Sequence, residues 1–362
     1  MKTCKQCILT DAYPGLTFND EGVCSMCSSN HVFEPYGEDK LIRIIEKAKA
    51  RKRGEYDVLV PLSGGKDSMY ILYIAVKVYK LKVLTMTYDN GFVSRLAIEN
   101  MERAVEKMQV KHIVCKPDYD MLLKKVYKNV LLRSGDICGA CGIAIEANVF
   151  KVAHDYGIPV ILLGTSPLER DSFLPDKTQD IARFKYIMKE SGCLTKKEMN
   201  DFLIYPNMNY FRQSIGKRTG SLAGKICPLF YIKNPSDKEM GEIIMKELDW
   251  KDDTSREYSK HFDCIAEPFT NYVRHHIYGY ERRICQYSNM VRRNEITREK
   301  AVDLYHSDKI VEKPANYQDI LDRLDINEQD MEDILKIKPL KYEKYVSKAN
   351  KLYAKLMKML RK

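Results

Sequence analysis

Val58-Leu59-Val60-Pro61-Leu62 runs directly into Ser63-Gly64-Gly65-Lys66-Asp67-Ser68, and this junction decides the fold. An apolar run with β-branched residues at both ends of Val-Leu-Val predicts a buried strand. Two glycines then let the backbone turn sharply and come close to an anion. Met69-Tyr70-Ile71-Leu72-Tyr73-Ile74-Ala75 is apolar nearly all round, as a helix packed on a sheet is. Ser63, Ser68 and the N–H groups at the new helix N-terminus can therefore converge on one phosphate group. A Gly-Gly turn ahead of a serine-capped helix is the plainer alternative. Strand, turn and helix in this order favour a phosphate cradle.

Outward from the junction, Tyr56 to about Lys233 alternates between strand and helix patterns. Strands are expected at 56–62, 82–88, 111–115 and 158–163, and helices at 68–79, 94–109, 119–133 and 142–156. Regular alternation predicts an α/β fold, a doubly wound parallel sheet with ligands at the carboxyl ends of its strands. The loop at 63–68, Asp89-Asn90-Gly91 and Gly164-Thr165-Ser166-Pro167 all fall at such ends. A charged helix precedes the sheet at about Glu38 to Arg53, with Leu41, Ile44, Ile45 and Ala48 on one face. Beyond Asn234-Pro235-Ser236-Asp237 the chain turns charged, helical and aromatic-rich, and Leu340–Lys362 reads as a basic amphipathic surface helix or oligomer contact. Three units result: a cysteine-rich segment at 1–34, the α/β domain at 35–235 and a helical region at 236–362.

Over 362 residues, hydrophobic content is 44% and charged content 30%, which describes a folded chain rather than a disordered one. No apolar run approaches the ~18 residues that span a bilayer. The first residues lack the apolar core of a signal peptide, so a cytoplasmic location is expected, with the 11 cysteines as thiols and metal ligands. The net charge of +10 suits a polyanionic partner and equally an enzyme of nucleotides.

Cys4-x2-Cys7 and Cys24-x2-Cys27 stand sixteen residues apart. Each pair puts two thiolates on one knuckle, and two knuckles make a closed tetrahedral site for structural Zn²⁺. Coordination supplies folding energy that so short a segment cannot draw from a core. Cys138-Gly139-Ala140-Cys141 lies just before a helix, where thiol pKa values are lowered and redox chemistry or a soft metal is favoured. Cys227 follows at long range. An iron–sulfur cluster, zinc with other ligands, and unligated buried thiols all remain open for this set.

The order S-G-G-x-D-S is not the G-x-x-x-x-G-K-[ST] loop. It resembles the PP-loop of ATP pyrophosphatases that release AMP and pyrophosphate, among them GMP and NAD synthetases, tRNA thiolases and sugar amidotransferases. The likeness extends through Gly22-Val23-Cys24-x2-Cys27, Asp89-Asn90-Gly91-Phe92 and Cys138-x2-Cys141 to Tyr278-Gly279-Tyr280-Glu281-Arg282-Arg283 and Val291-Arg292-Arg293-Asn294-Glu295-Ile296-Thr297-Arg298-Glu299-Lys300-Ala301. Taken together, the chain resembles the N-acetyl sugar amidotransferases of bacterial surface-glycan (lipopolysaccharide) pathways. After the fourth strand it carries Gly164-Thr165-Ser166-Pro167-Leu168-Glu169-Arg170 where that family has a Trp-Gly-containing segment.

The resemblance implies adenylation of an N-acetyl carbonyl of a sugar or nucleotide sugar, then displacement of AMP by ammonia to give an amidine. Ser63, Gly64, Gly65 and Ser68 would hold pyrophosphate, with Lys66 adding charge and Asp67 ordering the loop or Mg²⁺. Asp89 would bind adenosine, and Gly164 would let the fourth-strand loop approach the nucleotide. Cys138, Cys141 and Cys227 would hold a 4Fe-4S cluster, as in the thiolases. Residue 2 is Lys and no Gly-x-Cys-x-Gly elbow is visible, so ammonia would come from a separate glutaminase subunit or from solution. A homo-oligomer is expected. The alternative with the same adenylation is an iron–sulfur-dependent sulfurtransferase acting on tRNA.

Overall fold

The computed structural model describes residues 2–29, 33–167, 179–203, 216, 222–233, 235–253 and 262–345. Its centre is one five-stranded parallel sheet in the order β3-β2-β1-β4-β5, with β1 at Val58–Pro61, β2 at Val83–Tyr88, β3 at Lys111–Cys115, β4 at Val160–Leu162 and β5 at Gly224–Ile226. β1 pairs with β2 from Val58↔Val83 to Pro61↔Met86 and with β4 at Leu59↔Ile161. Pro61 thus ends the strand where pairing to β4 has stopped and a missing N–H costs nothing. Because the chain leaves β1 first toward β2 and later toward β4, the strand order reverses there, and the crevice of such a sheet opens at that point.

Four expected strands are present, each within the expected span; β5 is an addition. The expected helix at 68–79 begins at Lys66 and passes after Tyr73 into a π-helical turn at Ile74–Val78. The one at 119–133 is π-helical over Asp120–Tyr127 and α-helical over Lys128–Ser134. The helix expected at 142–156 starts at Cys138, so Cys138 and Cys141 lie inside its first turn rather than ahead of it. Of the expected last helix, residues 340–345 are described, and Tyr342–Tyr345 are helical.

The sheet has a core on each face. Leu59, Leu84, Met86 and Ile161 pack on one side with Tyr127, Ile143 and Phe269. Val58, Val60, Val160 and Leu162 pack on the other with Ile71, Met240, Ile244, Leu248 and Trp250. The boundary expected at 235/236 therefore shifts: the helix Asp237–Leu248 and Trp250 complete the sheet's own core.

A third core joins distant parts of the chain. Cys4, Cys7, Ile8, Leu9 and Cys24 bury against Tyr280, Ile284, Cys285, Tyr287, Ile296 and Ala301. Ile8 N donates to Ser288 Oγ, and Arg298 Nε donates to the carbonyls of Cys4 and Cys7 at 3.3 and 3.1 Å. The cysteine-rich segment and the helices Arg282–Arg292 and Arg298–Ser307 form one unit, not two.

Candidate functional site

The loop after β1 is closed on itself. Ser68 Oγ donates to Gly65 O at 3.0 Å and accepts from Ser63 N at 3.2 Å, while Ser63 Oγ accepts from Gly65 N at 3.3 Å. Ser68 is buried, so it shapes the loop from inside, and Ser63 is the exposed hydroxyl. Gly64 has φ +83°, and an added Cβ would meet Ala97 O at 2.5 Å. A side chain is excluded there twice, by backbone conformation and by space. Trp250 Nε1 donates to Gly64 O at 2.9 Å and fixes the turn from behind. The helix Lys66–Tyr73 begins at this turn, and a helix N-terminus in that place can receive an anion.

Gly164, expected to let the fourth-strand loop approach the nucleotide, packs closely on the protein: a Cβ would sit 2.8 Å from Ser68 N and 3.0 Å from Asp67 C. The loop after β4 is therefore packed on the first helical turn, at the point where the strand order reverses. The Lys66 ammonium is held by Asp237 Oδ1 at 2.5 Å, with Asp67 Oδ1 at 3.6 Å. Asp89 also serves its own turn. Its Oδ1 accepts from Gly91 N at 3.0 Å and its Oδ2 from Tyr119 OH at 2.6 Å. Partial burial and that carboxylate push the Tyr119 hydroxyl up to about 12.

Two residues absent from the sequence reading close the site from the C-terminal side. Asp263 is hydrogen-bonded to the Ser63 side chain, and an added Cβ on Gly65 would lie 3.5 Å from its Oδ2. Burial raises its carboxyl above the usual carboxylate range, against the Ser63 hydrogen bond and the charge of Arg282. Next to it, Cys264 bridges antiparallel to Val93, and Ile265 N donates to Phe92 O at 2.8 Å. Neither belongs to a motif; a lone Asp-Cys pair carries no periodic signal.

Cys141 stands against the turn after β2, with Asn90 Nδ2 3.3 Å from its Sγ. Asp136 Oδ1 accepts from Cys138 N at 3.0 Å, and Arg274 holds Asp136 Oδ2 at 3.1 Å with both side chains buried. The thiols are not activated by the helix N-terminus as expected. Burial pushes Cys138 up to about 12 and raises Cys141 as well, because desolvation of a thiolate outweighs the dipole here. Burial and the neighbouring thiols of Cys141 and Cys138 push Cys264 well above the ordinary thiol range. Cys227, expected as the third member, instead sits just after β5, hydrogen-bonded to Thr165, where burial raises its thiol.

The N-terminal four behave as one centre. Cys4, Cys7, Cys24 and Cys27 bring their sulfurs within 4.8 Å of one another, with Cys4–Cys27 at 3.9 Å and Cys7–Cys24 at 3.8 Å. Zinc–thiolate bonds of about 2.3 Å in a tetrahedron require sulfurs about 3.8 Å apart. Backbone N–H groups of Gln6, Cys7, Leu9 and Cys24 point at Cys4 or Cys7 sulfur, as bound thiolates require. Hydrogen bonds from Cys27 and Cys7 lower Cys24 to about 3. The donor set fits zinc and leaves no position open.

At the carboxyl ends of β2 and β3 a cleft of about 340 Å³ is lined by Tyr88, Lys116, Asn148, Lys151 and Phe202 among others. Tyr88 and Ala144 stand between it and Cys141. Among the described residues, no helix is long and apolar enough to cross a membrane.

Residues 252–361 match the C-terminal domain of WbpG-like LPS biosynthesis proteins. The chain is 26% identical over 166 residues to the uncharacterized protein MJ1599 of Methanocaldococcus jannaschii, a match that takes in 44% of this chain and 58% of that one. Among solved structures it is similar to the U34-tRNA thiolase NcsA from Methanococcus maripaludis with its 4Fe-4S cluster, at 16% identity and TM-score 0.34, covering 84% of this chain and 89% of that one. It is also similar to NMN synthetase from Francisella tularensis, at 14% identity and TM-score 0.31, covering 57% of this chain and 90% of that one.

Proposed function

We propose that this protein is an ATP-dependent amidotransferase of surface-glycan synthesis that converts the N-acetyl group of a sugar to an acetamidino group. One observation carries the reading. The segment at Asp263, inside the region that matches an LPS biosynthesis domain, lies directly on the phosphate loop at Ser63 and Gly65.

An amide carbonyl resists attack because its oxygen leaves poorly. The carbonyl oxygen attacks the α-phosphorus of ATP and pyrophosphate departs, leaving an O-adenylyl imidate. Ammonia then adds to the imidate carbon, the carbon–oxygen bond breaks, and AMP leaves with the former carbonyl oxygen. Positioning and charge stabilisation are the protein's share. Ser63 and the loop N–H groups receive the pyrophosphate. Lys66 would exchange Asp237 for phosphate, and Asp67 would order the loop or hold Mg²⁺. The cleft at Lys116, Asn148 and Phe202 has the size and mixed polarity for a sugar. A separate glutaminase or free ammonium supplies the nitrogen, and zinc holds the N-terminal cysteines together.

The test is pyrophosphate release from ATP with free and UDP-linked N-acetylated sugars, ammonium against glutamine, and the acetyl carbonyl labelled with ¹⁸O. Label recovered in AMP and an amidine product support the reading; release stimulated by none of the sugars refutes it. The thiols at Cys138, Cys141 and Cys264 favour a second reading, sulfur transfer to tRNA by the same adenylation. Stimulation by unmodified tRNA alone would select it.

A further inference from the structure

Arg282, Gln286, Asn289 and Arg293 recur at i, i+4, i+7 and i+11, which puts them on one stripe of the helix Arg282–Arg292 and its C-cap residue. The opposite face carries Ile284 and Tyr287 and is spent on the third core. Helix rise sets the Cα atoms of the two arginines about 16 Å apart. Each end of the stripe reaches the loop after β1. At the first end, the charge of Arg282 acts on Asp263, the carboxyl bonded to the Ser63 side chain. At the other, Arg293 is ion-paired to Glu295, whose carboxyl feels the charges of Lys66 and Asp237. Between them, Gln286 Oε1 is shut off from water and has no hydrogen-bond partner among the described residues. Native proteins rarely leave such an atom unmatched, so the stripe has the mark of a surface that meets a ligand.

The loop's own side chains are poorly charged for a triphosphate. Lys66 is the one cation in 63–68, and Asp237 and Asp67 already face it at 2.5 and 3.6 Å. Asp263 stands beside Ser63 and Glu295 near Lys66, so acidic groups outnumber the lysine around the turn. Burial raises both of these carboxyls, which softens repulsion of an anion without supplying attraction. Guanidinium groups supply it best, because they are permanently charged and their forked N–H donors match phosphate oxygens.

We propose that Arg282 and Arg293 are phosphate-binding residues that close the nucleotide site from the C-terminal region, one at each end of the loop. They take the charge of the triphosphate and of the departing pyrophosphate, and Arg293 exchanges Glu295 for phosphate oxygens. The assignment rests on the reading of the loop as an ATP site and is independent of the acceptor.

Binding of Mg²⁺-ATP, inorganic pyrophosphate and adenosine to the full chain is measured by calorimetry with no acceptor present. Arg282→Gln and Arg293→Gln should each weaken ATP and pyrophosphate by about tenfold or more, the loss of a charged hydrogen bond, and leave adenosine unchanged. The Arg→Lys variants should recover part of the loss. Arg43→Gln removes the same charge from an exposed helix and should alter none of the three. Zinc content and far-ultraviolet circular dichroism establish that each variant is folded. On the native chain, pyrophosphate should slow hydrogen exchange at 282–296 as well as at 63–68, a readout that needs no variant. Unchanged binding in the folded glutamine variants, or protection confined to 63–68, overturns the inference. A native chain that binds neither ATP nor pyrophosphate refutes the ATP reading and the inference with it. Intact binding with no stimulation by sugars refutes the glycan reading alone.

Discussion

Trp250 Nε1 donates to the carbonyl of Gly64 at 2.9 Å, so the chain's single tryptophan is tied to the turn where the proposed function places phosphate. Occupation of the loop must change the surroundings of this indole. Titration with ATP should therefore alter the intrinsic tryptophan fluorescence. Trp250→Phe leaves a buried carbonyl unpaired at a cost of about 1–3 kcal/mol. It should raise the KM for ATP several-fold, which steady-state pyrophosphate release will measure.

Gly164 offers a contrast with another glycine nearby in the fold. A Cβ at Gly164 collides with the first turn of the loop helix at 2.8 Å, whereas at Gly224 the nearest atom is 4.0 Å away. Gly164→Ala should lower kcat/KM for ATP by about tenfold or more, in line with a misplaced phosphate site. Gly224→Ala should leave it unchanged. Equal effects would separate Gly164 from nucleotide binding.

Arg274 neutralises Asp136 in a setting where neither side chain reaches water, and Asp136 in turn takes the backbone N–H of Cys138. Arg274→Ala strands a buried carboxylate, which costs about 3–5 kcal/mol. Urea unfolding should register that loss, and Arg274→Ala with Asp136→Asn should recover part of it. Full additivity of the two changes would show that the pair does not interact.

The N-terminal metal should support more than its own loops. Chelation, or Cys24→Ser, should expose amides of Arg282–Arg292 and Arg298–Ser307 to hydrogen exchange while β1 and β2 remain protected, because the third core is separate from the sheet's. Unchanged exchange in those helices after metal loss would contradict this.

His112, paired through Nδ1 with Thr85 Oγ1 at 2.9 Å, is held below its ordinary value of 6.5 by burial. The unfolded chain takes up a proton as pH falls through about 6.5, while the folded chain does not until lower pH. His112's contribution to stability is thus complete above that pH and lost progressively below it. His112→Gln should flatten the fall in unfolding free energy between about pH 6.5 and 5; an unaltered profile would rule His112 out.

The sheet was legible because each of β1 to β4 lies in an apolar run next to a helix-period segment. β5 was not, since Gly224-Lys225-Ile226 contributes one apolar side chain and is held by pairing to β4 alone. The glycine turn after β1 was equally legible: its residues are contiguous, and glycine is required where φ is +83°. What closes the site came from far away in sequence. Cys227 and Cys264 are both solitary cysteines in the chain, and only the bridge from Cys264 to Val93 tells them apart. The thiol shifts ran against expectation because desolvating a thiolate costs more than a helix N-terminus returns.

Contact of Ile8 with Ser288 spans 280 residues. During synthesis the metal-binding knuckles emerge long before the apolar surface that must cover Ile8 and Leu9. Closing so large a loop is slow, and uncovered apolar surface invites aggregation meanwhile. The knuckles can capture their ion early, but they acquire a stable seat only when the ribosome has delivered the helices Arg282–Arg292 and Arg298–Ser307. Slowed or interrupted translation should therefore harm this protein at its metal-binding knuckles, which wait longest for their partner.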